Sequence, residues 1–173
     1  PRSAQPPARQ RPESRSDPEA RPEGAGSSRE DLLTTILFRC LPTSFTRTGF
    51  LELIDSEGFA GQYNFVYTPI DFGTQSSLGY AFINFVSPTV ARLFWAHFDG
   101  FTRWPVSHDK VSTLNWSSPH QGLAAHVERY RNSPVMHATV PDEWKPAIFI
   151  EGARVAFPPP TKAVKAPKIR WPE

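Results

Sequence analysis

Leu78-Gly79-Tyr80-Ala81-Phe82-Ile83-Asn84-Phe85 is the stretch of this 173-residue chain from which its fold can be read. Its character changes at every residue, which is the period of a strand. Tyr80, Phe82 and Asn84 point to one face; Ala81, Ile83 and Phe85 point to the other. Both faces carry aromatic rings, so burial of one face does not account for the pattern. A strand that packs a core on one side and shows flat rings on the other suits the stacking of unpaired bases. The plainer reading is a buried sheet strand that happens to be aromatic. Gly79 lets a loop end or a sugar-phosphate come close to the backbone.

Working outward from the octamer, strands and helices alternate. Thr34 to Phe38 reads as a strand with Ile36 and Phe38 inward and Leu37 and Arg39 on the open face. Thr46 is placed to cap a helix whose stripe is Phe50, Leu51 and Ile54, and Gly58 is placed to stop it. Tyr63 to Thr68 is a second strand, with Phe65 and Tyr67 on the open face. Asp71-Phe72-Gly73-Thr74 is a turn into the octamer. Ser87-Pro88 starts a second helix, carrying Val90, Ala91, Phe94, Trp95 and Phe98, closed by Gly100. Val111 to Trp116 is a fourth strand with Thr113 and Asn115 outward. Pro119 to Arg131 has the spacing of a third helix, through Leu123, Ala124, Val127 and Tyr130.

This order is βαββαβ. Right-handed crossovers fold it into a four-stranded antiparallel sheet with two helices on one face, an α+β sandwich of the ferredoxin-like kind. The first and third strands are central, so the octamer sits in the middle of the open face. A helix follows the fourth strand, and an amphipathic helix beside an aromatic sheet face invites packing of one on the other.

Composition sets the organisation of the whole. Nineteen Pro are too many for a compact domain of this size. Residues 1–30, rich in Pro, Arg and Ser, are expected to be disordered. The domain is expected over 31–117, its helical extension over 118–133, and a Pro/Lys-rich extended tail over 134–173. Within that tail Ala147-Ile148-Phe149-Ile150 has the character of a docking segment, but a loosely ordered tail is the expectation. Residues 31–117 hold five Lys/Arg against seven Asp/Glu, net −2; residues 134–173 hold six against four, net +2. Phosphate attraction must therefore come from a few placed cations or from the flanks.

Several pieces of the chain together resemble the C-terminal RNA recognition motif of the Mei-two-like proteins, regulators of meiosis and development. They are Thr34 to Arg39, Glu57-Gly58-Phe59-Ala60-Gly61-Gln62-Tyr63-Asn64-Phe65, Pro69-Ile70-Asp71-Phe72, the octamer itself, and Trp104-Pro105-Val106. The resemblance covers about residues 32–133. It implies an RNA recognition motif (RRM) fold and a single-stranded RNA-binding module serving post-transcriptional regulation, in the nucleus, the cytoplasm or both. Some positions depart from the pattern. Leu78 stands where Lys or Arg is usual, Cys40-Leu41 replaces an Asn-led pair, Thr43-Ser44 replaces basic residues, and Ser117-Ser118 replaces Ala-Arg.

The candidate RNA-binding residues are Tyr80 and Phe82 for stacking, with Phe65, Tyr67 and Leu37 beside them. Arg39 is placed for a phosphate or a base face. Asn84, Thr113 and Asn115 are placed for base edges, and Arg129 and Arg131 for an extended phosphate track. The alternative is a protein-interaction module that kept the fold and uses its helices or tail, which the net −2 of residues 31–117 favours. The five histidines have no metal-ligand spacing with Cys40 or paired carboxylates, and no Gly-rich phosphate cradle is present. No enzyme activity, cofactor, metal or small-molecule substrate is expected. No apolar run approaches the ~20 residues of a membrane-spanning helix.

Overall fold

The computed structural model describes residues 28–169. The expected disordered stretch 1–30 lies outside these residues except for its last three, which enter a 3-10 turn at Arg29–Leu32. Six strands form one antiparallel sheet among the described residues: β1 Thr35–Arg39, β2 Tyr63–Tyr67, β3 Tyr80–Phe85, β4 Thr113–Trp116, β5 Ala147–Ile150 and β6 Ala153–Val155. Their order across the sheet is β4-β1-β3-β2-β5-β6. The first four follow the expected βαββαβ topology, with β1 and β3 central. The expected four-stranded sheet is corrected to six, because β5 adds to the outer edge of β2 and β6 pairs with β5.

The two helices on the inner face start and stop as their sequences dictate. Helix α1, Arg47–Ile54, begins where the Thr46 hydroxyl accepts from Gly49 N–H at 3.2 Å. Gly58, at φ +98°, turns the chain out of the wide last turn over Asp55–Phe59. Helix α2, Pro88–Phe98, begins where the Ser87 hydroxyl accepts from Val90 N–H at 3.2 Å, with Pro88 at the first helical position. Both helices press their apolar faces on β1 and β3. Ile36, Phe38, Phe50, Ile83, Phe94 and Phe98 are fully buried there, and Phe38 meets the edges of Phe50 and Phe98 at 5.3 and 5.6 Å.

The octamer has the register that its alternation predicts. Ala81, Ile83 and Phe85 are buried in this core, while Tyr80 and Phe82 are half-buried on the opposite face. Gly79 takes φ +85°, where a side chain would be strained, and its carbonyl accepts from Leu41 N–H at 2.9 Å. The close approach made there is by the loop that leaves β1.

The tail expectation is corrected over its first half. Arg47, buried on α1, donates to the carbonyls of Asp142 and Lys145, both at 2.7 Å, and to the Asp142 carboxylate at 2.9 Å. That clamp delivers Ala147 to the edge of β2, where Phe65 pairs with Ile148 and Val66 with Ala147. Ala147 and Phe149 enter the main core and Ile148 enters a second cluster on the other face. A strand buried on both faces reads as a continuous apolar run, which is why Ala147 to Ile150 shows no alternation.

Candidate nucleic-acid interface

The face of the sheet turned away from α1 and α2 is a grid defined by the strand registers. One row holds Thr113, Arg39 and Tyr80. The next holds Asn115, Leu37, Phe82 and Tyr67. The third holds Thr35, Asn84, Phe65 and Ile148. All nine sheet residues expected on this face belong to the grid, but they meet different surroundings.

The third helix decides which of them stay open. Helix α3, Leu123–Tyr130, is shorter than the expected 119–131 and lies over the third row. The ring of His126 sits 5.0 Å from Phe65 and 5.8 Å from Phe82. Tyr130 stacks on Phe65 at 6.0 Å, 18° from parallel, and leans on Tyr67 at 4.7 Å. The entry to α3 is pinned by Gln121. Its Oε1 accepts from the Thr34 and Thr35 N–H groups at 3.1 and 2.9 Å, and its Nε2 donates to the Thr35 carbonyl at 2.7 Å. Gly122 N–H donates to the Thr35 hydroxyl at 2.8 Å.

Two of the expected RNA contacts on the sheet are corrected, one by this packing and one by bonds within the sheet. Phe65 is fully buried beneath His126 and Tyr130. Asn84 is buried with its hydrogen-bonding capacity spent: its Oδ1 accepts from the Thr34 and Thr35 hydroxyls, each at 2.7 Å, and its Nδ2 donates to Asn64 Oδ1 at 2.7 Å. Arg131 is corrected too, because its guanidinium donates to the Pro159 carbonyl at 2.8 and 3.1 Å and to Glu128 at 2.8 Å. Tyr67 is half-covered by Tyr130, and burial pushes its phenol well above the usual range, so it stays protonated. Arg129 is exposed but shared between His120 Nε2 at 2.9 Å and the face of Tyr130 at 5.5 Å.

What stays open is a compact patch over β4, β1 and β3. Arg39, Thr113 and Asn115 are exposed and Leu37, Tyr80 and Phe82 are half-buried. The Tyr80 and Phe82 rings meet edge to face at 5.9 Å. Arg39 has no ion pair among the described residues, so its charge faces solvent beside Tyr80. Reading the sequence for the open face missed His126 and Gln121. His126 stands three residues after Leu123 and four before Tyr130, on the same helical stripe, and that spacing was the available signal. Burial lowers its pKa and the Gly122 carbonyl, 3.0 Å from Nδ1, opposes that, leaving the imidazole with less affinity for a proton than usual.

A βαββαβ fold with half-buried rings on the open face of β3 is the architecture of an RNA recognition motif. The chain belongs to the family described as RNA recognition motif 2, which matches residues 33–131. Its relatives include Protein MEI2-like 3 of Arabidopsis thaliana, 33% identical over 129 residues, 75% of this chain and 16% of that protein. Meiosis protein mei2 of Schizosaccharomyces pombe is 33% identical over 139 residues, 77% of this chain and 18% of that one. The chain thus spans less than a fifth of either relative, and the resemblance read from the octamer and its neighbours is borne out. A solved Sxl-lethal protein/RNA complex aligns with TM-score 0.42 and 23% identity, over 51% of this chain and 48% of that one.

Proposed function

We propose that this chain is a single-stranded RNA-binding module of a post-transcriptional regulator, taking up bases on the half of the sheet that α3 leaves open. The observation that carries this reading is the pair Tyr80 and Phe82, half-exposed on the central strand beside the unpaired cation Arg39. Two neighbouring rings can each accept one base face, Arg39 can meet the phosphate between them, and Thr113 and Asn115 can bond base edges. Each stacked base contributes roughly 1–3 kcal/mol. The chemistry is binding, with no bond made or broken. Tyr80→Ala is the cleanest test, because that ring lies outside both apolar clusters. Titrated with a fluorescent random four-nucleotide RNA, the variant should lose about tenfold or more in affinity by that stacking estimate, with its melting temperature unchanged. Unchanged affinity would remove the sheet from the interface.

A second reading has one observation in its favour. On the opposite face, between α1 and residues 103–106, lies a cleft of about 530 Å³ floored by Phe45 and Leu53 and rimmed by Glu52, Glu57 and Arg103. The Arg103 charge is spent on Glu57 at 2.9 Å. A protein partner would dock here, and its capture would resist nuclease and Tyr80→Ala but not Glu52→Lys, a change at the exposed rim.

A further inference from the structure

Beyond β6 the chain leaves the sheet without wandering off. Phe157 packs into the second apolar cluster, which also takes in Tyr67 and Phe82. The Pro159 carbonyl accepts from Arg131. Thr161 and Asn132 exchange two bonds, N–H to Oδ1 at 2.9 Å and Nδ2 to Oγ1 at 2.8 Å. Pro167 and Ile169 then border a cleft with Phe72 and Trp144, and Lys168 and Ile169 lie along a second cleft with Leu78, two residues before Tyr80. Residues 157–169 are therefore a strap, tied to the end of α3 at one side and bordering the clefts beside the loop before β3 at the other.

The strap has a period of three. Pro158, Val164 and Pro167 are half-buried and Thr161 is the residue bonded to Asn132, so every third residue faces the protein. Lys162, Lys165 and Lys168 are the residues that follow in each later triplet, and all three are exposed. An extended chain of the polyproline type has three residues per turn and would set such lysines about 9 Å apart along one edge. No carboxylate occurs from Gly152 to Ile169, and the other cation there, Arg154, is held by Asp142 at 3.0 Å. None of the three lysines is in an ion pair among the described residues.

We propose that this strap is a second RNA-binding element: Lys162, Lys165 and Lys168 hold the phosphates of the strand after it leaves the sheet at Tyr80. The rail reads charge rather than sequence. It supplies the cations that the acidic 31–117 region lacks, and it rests on the RNA reading of the sheet.

The test uses the full chain, the triple variant Lys162→Gln, Lys165→Gln, Lys168→Gln, and fluorescent random RNAs of four and twelve nucleotides. Wild type should bind the longer RNA more tightly. The variant should keep its affinity for the four-mer and lose the advantage of the twelve-mer. Its plot of log affinity against log salt for the twelve-mer should be shallower by about 2, three phosphates at ~0.7 each. A variant that keeps both the length advantage and the slope overturns the rail while leaving the sheet site intact. Wild type that binds neither RNA overturns the sheet reading and the rail together.

Discussion

Phe65 and Tyr80 face the same way from adjacent strands and meet opposite fates, and the residue responsible is His126. Its ring covers Phe65 and the inner edge of Phe82, and a buried imidazole is cheapest to keep when neutral. The groups facing it are His120, with rings 6.1 Å apart, Arg129 on its own helix, and Tyr130. The first two are, or can become, positive and disfavour a second positive charge. A histidine with a lowered folded pKa stabilises fully above its unfolded pKa, about 6.5, and loses that contribution progressively as pH falls below it. The wild-type melting temperature should therefore fall between pH 7.5 and 5.5 by more than that of His126→Leu. Equal losses in the two proteins would put the acid sensitivity elsewhere.

At the scale of elements, β5 is the piece that turns an expected tail into part of the core. Phe149 packs edge-on to Tyr63 at 5.2 Å, and Ile148 closes the second cluster beside Phe65. Deleting a buried Phe side chain costs about 3–5 kcal/mol, so Phe149→Ala should melt far below wild type. Limited proteolysis should leave a resistant fragment that retains Ile148-Phe149-Ile150, and a chain ending at residue 133 should melt well below one ending at 169. A fragment resistant at 133 would show that β5 is dispensable. Helix α3 belongs to the same economy: eight residues hold their place because His126 and Tyr130 are buried and Gln121 bonds the backbone of β1.

The whole molecule is a sheet with a large core on one side and a smaller one on half of the other. Helices α1 and α2 make the first core; α3, the segment after it and the strap make the second. Strands β1, β3 and β2 are each paired on both edges, whereas β6 is a three-residue edge strand with no buried residue. Local opening follows such differences in burial. Native-state hydrogen exchange should be slowest in β1 and β3 and fastest in β6 and the strap. Comparable protection in the strap would mean that it opens only with the whole domain. Charge divides along the same line, with acids concentrated in the domain and free lysines on the strap, so the two RNA contacts should respond differently to salt.

The sequence by itself determined the βαββαβ core, the register of the octamer and both inner helices. Each rests on a local signal: alternation, a hydroxyl cap, a Pro at the first helical position, a stripe at helical spacing. It also determined the faces on which Tyr80, Phe82, Leu37, Arg39, Thr113 and Asn115 stand, since a strand has only two. Tertiary structure alone decided which part of that face stays open. Phe65 and Tyr80 are alike by local pattern, and what separates them is helix α3, far downstream of both, whose His126 and Tyr130 cover Phe65. It also decided that Ala147 to Ile150 is a strand, because a run buried on both sides has no period to read and its partner edge on β2 lies far back in the chain. Cover and edge pairing are contacts between distant segments, and the spacing of residues within one segment carries no record of them.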